Sequence, residues 1–234
     1  LDRSLEIRKI EKACVDYASN AVFAKKYIRP QQQIVTVIGA GLTGIACSAL
    51  LGQKGYKVKL YEKSERLGGQ LWNYSRDVLP EKIIIEEITA LLEWGRVELY
   101  LNQPQEDVTR IAADAIFLAT GNQAENLGAD ILDTDSVTLQ TKMEGCFAGG
   151  NILSENGSLS PIECIAQAKK AAKYIERYLK KTPLIFGNEA ETKTKLFTPL
   201  TNVLPRLNSK IDHDFSLEEA VTEAKACIEC ECLA

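Results

Sequence analysis

From Ile34 to Gly52 the chain runs 19 residues without a charge, and three glycines, Gly39, Gly41 and Gly44, break that run into pieces. The length alone would cross a bilayer. Glycines in a turn pattern and a charged strand directly afterwards fit a buried soluble unit instead. The residues read as a strand (Ile34-Val35-Thr36-Val37-Ile38), a turn (Gly39-Ala40-Gly41-Leu42-Thr43-Gly44), an apolar helix, and a second strand from Lys57 to Tyr61 followed by Glu62 and Lys63. Gly39 permits the tight turn, Gly41 lets backbone approach a pyrophosphate, and Gly44 lets the helix lie close on the strand. Phosphates then sit at the positive end of the helix opened by Leu42 and Thr43. Glu62 can accept both hydroxyl hydrogens of an adenosine ribose and would repel a 2′-phosphate, which favours NAD or FAD over NADP. The competing reading is a glycine-rich turn in some other α/β protein.

With 234 residues, 45% hydrophobic, the chain can build one good core or two small domains. Its net charge of −4 is spread over a mixed surface, so nothing points to nucleic acid or an anionic membrane as partner. The amino-terminal segment is charged and helical and does not look like a secretory signal. Seven scattered cysteines do not form a secreted disulfide framework, and a reducing cytoplasm is the expected location. The single His213 lies in a polar stretch, which leaves histidine-based catalysis or zinc chemistry with little to work with.

Residues 1–33 place Ile7, Ile10, Cys14, Tyr17 and Ala21 at helical spacing and are expected to form a helical segment packed on the main domain, with Cys14 as a small buried residue. After Glu62 comes the pair Gly68-Gly69 with Gln70 and Leu71, again a place for close backbone approach. A helix follows from Pro80 to Trp94, then a strand from Val97 to Leu101. The apolar run Asp114 to Ala119, stopped by Ala119-Thr120-Gly121, reads as a central strand delivering its end to a ligand crevice. A further strand ends in Gly149-Gly150-Asn151. Ser160, Pro161 and Glu163 then open a well-specified helix, whose first turn offers amides around Pro161 and Ile162. Residues 182–234 read as an extended, proline-bearing segment and a helix starting at Ser216, which ends in Cys227, Cys230 and Cys232. Residues 34–181 would be the Rossmann-like domain, a parallel sheet flanked by helices.

Four of these stretches, Val35 to Glu62, Arg66 to Leu71, Asp114 to Gly121 and Gly145 to Lys170, together resemble the FAD-binding half of the glutamate synthase small subunit and related FAD-dependent pyridine nucleotide-disulfide oxidoreductases. The resemblance implies that Gly39, Gly41 and Gly44 serve the FAD pyrophosphate and Glu62 the ribose. It further implies that Gly68, Gly69, Gln70 and Leu71 line the cofactor channel. Gly149 and Gly150, followed in the family by aspartate and here by Asn151, would hold the ribityl region. The helix at Ser160 would set its N-terminal amides beside the flavin pyrimidine edge, where negative charge gathers on reduction. The C-terminal cysteines are similar to the start of an iron–sulfur motif in relatives. Three thiols would want a fourth ligand from elsewhere, and zinc or free thiols are the alternatives.

Only 23 residues lie between Gly121 and Gly145, where relatives insert a whole nicotinamide-binding domain. A domain needs roughly 50 residues. The expectation is therefore a flavoprotein without its own NAD(P)H domain, whose electrons come from a redox partner protein or a nicotinamide donor in trans. Whether it forms a homo-oligomer stays open. A redox-active cysteine pair is also missing, and Cys47, Cys146 and Cys164 read as packing residues. The alternatives are a non-catalytic FAD-binding assembly module and a small NAD-binding dehydrogenase; the second lacks a Tyr-x-x-x-Lys or histidine arrangement.

Overall fold

The computed structural model describes residues 5–17, 28–122, 133–154, 159–184 and 213–225, which divide between two units. The larger unit, Lys25–Gly187, is built on five strands: β1 (Ile34–Ile38), β2 (Lys57–Tyr61), β3 (Glu98–Tyr100), β4 (Ala115–Leu118) and β5 (Cys146–Ala148). They form one parallel sheet in the order β3-β2-β1-β4-β5. β4 and β5 are buried along their whole length and β1 nearly so, as expected where helices cover both faces of a parallel sheet. β1 pairs with β2 on one side (Val37 opposite Leu60) and with β4 on the other (Val37 opposite Phe117). The chain first winds outward through β2 and β3, then returns to β4. A crevice must therefore open beyond the C-terminal ends of β1 and β4.

The uncharged run from Ile34 to Gly52 is β1, the glycine turn and most of α2 (Leu42–Gln53). α2 has no polar face because it is packed by α3 (Glu81–Gly95) as well as α4 (Pro161–Leu179). The α2–α3 approach is so close that a Cβ on Gly52 would lie 1.7 Å from the Gly95 carbonyl oxygen. Among the described residues no helix is long and apolar enough to cross a membrane. Phe117, Phe147, Ile45, Leu51 and Leu60 are fully buried at the centre.

α4 begins as its sequence demands. The Ser160 hydroxyl accepts from the Glu163 amide, the Glu163 carboxylate accepts from the Ser160 amide at 2.8 Å, and Pro161 occupies the first position. Cys164, Ala168, Ala171, Ala172, Ile175 and Leu179 form its buried stripe.

The described parts of the smaller unit are α1 (Ile7–Tyr17) and α5 (Leu217–Lys225). They run antiparallel: the Glu6 amide donates to Glu223 Oε1 at 3.3 Å, while Lys12 Nζ lies 3.1 Å from Asp214 Oδ2. Ala13, Phe215 and Ala220 make the small core, with Ile10 against it. One expectation is corrected. Cys14 is exposed, because the buried register of α1, packed on α5, runs through Ile10 and Ala13.

Candidate functional site

A cavity of about 600 Å³ opens at the predicted crevice, within the size range of small-molecule and cofactor sites. Its floor is the turn that leaves β1. Gly39, with φ +99°, donates its amide to the Tyr61 carbonyl at 2.8 Å, which ties the turn to the end of β2. Gly41 is the N-cap of α2, in an extended conformation and with no capping side chain, so the first amides of the helix face the cavity region without a protein acceptor supplied by the cap. An added Cβ on Gly41 would meet nothing within 4 Å, which marks open space beside a helix N-terminus. Leu42 and Thr43 also line the cavity.

Glu62 is held in place by the backbone of the same turn. Its Oε2 accepts from the Ala40 amide at 2.8 Å, and its Oε1 accepts from the Ser64 amide at 3.0 Å and the Ser64 hydroxyl at 2.8 Å. The carboxylate is therefore oriented before any ligand arrives. Lys63 and Tyr61 join it on the wall, and Tyr61 is stacked on Tyr100 with ring centroids 4.7 Å apart.

The Gly68-Gly69 turn pairs with the first turn through a bridge between Gly41 and Gly68, and the Gly68 amide donates to the Ala40 carbonyl at 2.8 Å. Gly69, Gln70 and Leu71 follow along the wall in a short 3-10 helix, Gly69–Asn73. Trp72 backs this segment from outside. Its ring nitrogen donates to the Leu67 carbonyl, Arg66 lies over the ring at 3.2 Å from its centroid, and Arg76 lies 5.2 Å away.

From the opposite side come Ala119, Thr120 and Gly121, beyond the end of β4, and Asn151, Leu159, Pro161 and Cys164, from the segments that enter α4. The Thr120 hydroxyl is buried without a hydrogen-bond partner.

Five of the sequence-derived candidates lie off the wall. Gly44 serves helix packing: a Cβ there would lie 1.9 Å from the Gly39 carbonyl oxygen. Gly149 is pressed against the Phe117 ring and Gly150 against Thr43, so both set the path of the chain behind the site. Ser160 is committed to its capping box, and the Ile162 side chain is 76% exposed. Pro161 reaches the wall but carries no amide proton to offer. Hydrogen bonds from the Ser160 hydroxyl and amide hold the Glu163 carboxyl below its ordinary value. Cys227, Cys230 and Cys232 lie outside the described residues.

The wall also contains residues that sequence reasoning passed over. Gln103, Pro104, Gln105 and Glu106 follow β3, and Asn73 and Tyr74 follow Leu71. The Gln103 amide donates to the Glu62 carbonyl at 3.0 Å, a pairing between segments 41 residues apart that leaves no local pattern. Cys164, expected as a packing residue, is 9% exposed and lines the cavity as well. Burial raises the Cys47 thiol strongly and pushes Cys146 up to about 11, so both stay protonated near neutrality.

Residues 37–86 match a family model described as an NAD(P)-binding Rossmann-like domain. The chain is 24% identical to the glutamate synthase [NADPH] small chain of Bacillus subtilis, over an alignment covering 96% of this chain and 48% of that one. It is 24% identical to the NADPH-Fe(3+) oxidoreductase subunit beta of Geobacter sulfurreducens, covering 62% and 30% respectively. It is 42% identical to thiamine thiazole synthase of Methanoculleus marisnigri over 57 residues, 24% of this chain and 22% of that one. The chain spans about half the length, or less, of these relatives. The resemblance carried by the glycine motifs thus extends along almost the whole chain.

Proposed function

We propose that this Rossmann-like chain, similar along its length to the small chain of glutamate synthase, binds FAD non-covalently in the cavity and works as an electron-transfer flavoprotein. The observation that supports the reading most is convergence. The turns after β1, β2 and β4, the Gly68-Gly69 turn, and Asn151 at the entry to α4 all border one space. The open volume beside Gly41 is where a dinucleotide would be accepted.

In this reading Gly41 and the first amides of α2 hold the pyrophosphate, and Glu62 accepts from the adenosine ribose. Gly69, Gln70, Leu71, Ala119, Thr120, Gly121 and Asn151 border the rest of the cofactor. Bound FAD would supply reversible uptake and release of two electrons. The chain's own residues exclude water, orient the ring system and set the hydrogen bonds it receives. With 23 residues between Gly121 and Gly145, the electron donor is a nicotinamide or a redox protein acting in trans. An iron–sulfur cluster on Cys227, Cys230 and Cys232, completed by a further ligand, would be the next carrier.

The visible spectrum of the purified protein tests the core of this reading, after incubation with FAD and gel filtration. Retained flavin bands near stoichiometry support it; absence of any uptake removes it. Iron and acid-labile sulfide analysis of the same sample decides the cluster. Photoreduction separates the electron carrier from a module whose flavin is only structural, since the latter would not pass electrons on.

A further inference from the structure

On the cavity wall two side-chain amides stand in series. Asn151 Oδ1 accepts from the Leu159 amide at 2.8 Å, and Asn151 Nδ2 donates to Gln70 Oε1 at 2.8 Å. Both Gln70 and Asn151 line the cavity, as does Leu159.

A backbone N–H can only donate, so the Leu159 amide fixes which end of the Asn151 carboxamide faces it. That end is the oxygen, and the NH2 group is thereby turned to Gln70. An NH2 group can only donate, so Gln70 must in turn present its oxygen to Asn151. One main-chain amide thus orients two amides that would otherwise be free to flip, and the Gln70 NH2 group is left over. Among the described residues no protein acceptor takes it.

We propose that Asn151 is a polarity-setting residue: locked by the Leu159 amide, it makes Gln70 a hydrogen-bond donor toward a ligand edge that carries acceptor atoms. This rests on the flavin reading, since an isoalloxazine edge presents carbonyl oxygens and ring nitrogens that accept. The segment bearing Asn151 is itself fixed, because the Gly150 amide donates to Gln167 Oε1 at 2.6 Å from within α4. An aspartate at 151 would still accept from Leu159, but its other oxygen would call for the Gln70 NH2 group. Gln70 would turn over and offer the cavity its oxygen. The choice between asparagine and aspartate therefore decides the sign of a hydrogen bond made by a different residue.

The test uses the full chain with nitrogen-15-labelled side-chain amides, FAD as the probe, and three variants: Asn151→Asp, Gln70→Leu and the double variant. Gln70→Leu assigns the Gln70 NH2 signals and removes a side chain that is largely exposed, so folding is not at stake. In the wild-type protein without FAD, the Gln70 NH2 protons should exchange freely with water while the Asn151 proton donated to Gln70 is protected. In Asn151→Asp the Gln70 protons should exchange about tenfold more slowly. FAD should bind Asn151→Asp roughly tenfold more weakly than wild type, and this penalty should vanish in the Gln70→Leu background.

Protection of the Gln70 NH2 group in the wild-type protein without ligand, or its insensitivity to Asn151→Asp, overturns the proposal. A penalty that persists undiminished without Gln70 does the same, because the carboxylate would then act on the ligand directly. Failure of the wild-type protein to take up FAD defeats the flavin reading, while the exchange measurement on the ligand-free protein still decides the orientation of the amides.

Discussion

Substituting Gly41 by alanine separates the binding role of the glycine turn from its folding role. Gly41 has φ −76° and ψ 179°, a conformation open to any residue, and a Cβ there meets no protein atom within 4 Å. Alanine is a poorer helix N-cap than glycine, but it also lowers the entropy of the unfolded chain by about 0.4–1 kcal/mol. The two effects oppose, and stability should change by no more than about 0.5 kcal/mol. The methyl would, however, stand in the space assigned to the pyrophosphate. Pushing a phosphate off the helix amides costs one or two hydrogen bonds to a charged group, roughly 2–4 kcal/mol together, or a thirtyfold to several-hundredfold loss of affinity. Urea unfolding without ligand reads the first quantity, and flavin fluorescence titration the second. Wild-type affinity in Gly41→Ala would show that no phosphate lies there. An unfolded variant would show that the space beside Gly41 is not open.

Gly44→Ala should behave oppositely and fail to fold stably, because its Cβ would lie 1.9 Å from the Gly39 carbonyl oxygen; circular dichroism and urea melting check this before any ligand is added. Glu62→Gln should cost roughly 1–2 kcal/mol of stability, since the carboxylate accepts from Ala40 and Ser64, and should weaken FAD about tenfold if the proposed ribose contact is made; isothermal titration and urea melts measure the two effects. Phe117→Ala empties a fully buried site in the central strand and should cost about 3–5 kcal/mol in urea unfolding. The Glu163 capping box should be visible in the pH dependence of stability. Its carboxyl titrates below the ordinary 4.5, so its contribution is complete above that value and is lost as pH falls through the lower folded value. Urea midpoints of wild type and Glu163→Gln should differ at neutral pH and converge on acidification; a constant difference would refute the assignment.

The elements of the larger unit were legible because each is specified locally. Strand β1 is an unbroken β-branched run, α4 carries its own capping box, and the acid after β2 is fixed by its place at the strand end. Glu62 and the glycines of the first turn could be named for the same reason: a single crossover brings them together. The loop after β3 could not. Gln103 reaches the site only because β3 pairs with β2, and a polar loop has no periodicity to betray it. Cys164 belongs to the apolar stripe of α4, and only the position of that helix's first turn brings it to the cavity. An apolar face does not name its partner either, and α1 was free on sequence grounds to pack anywhere until α5 took its face.

The sequence alone determined the strand–glycine–helix–strand–acid unit, the helix starts and the parallel α/β architecture, because hydrophobic period, backbone freedom and capping act over a few neighbouring residues. The tertiary structure alone decided which glycines face open space and which face backbone. It also decided which loops complete the wall, and which way the Gln70 amide points. Those depend on distances between segments far apart in the chain, and a hydrogen bond has a direction only once both partners have been brought within reach.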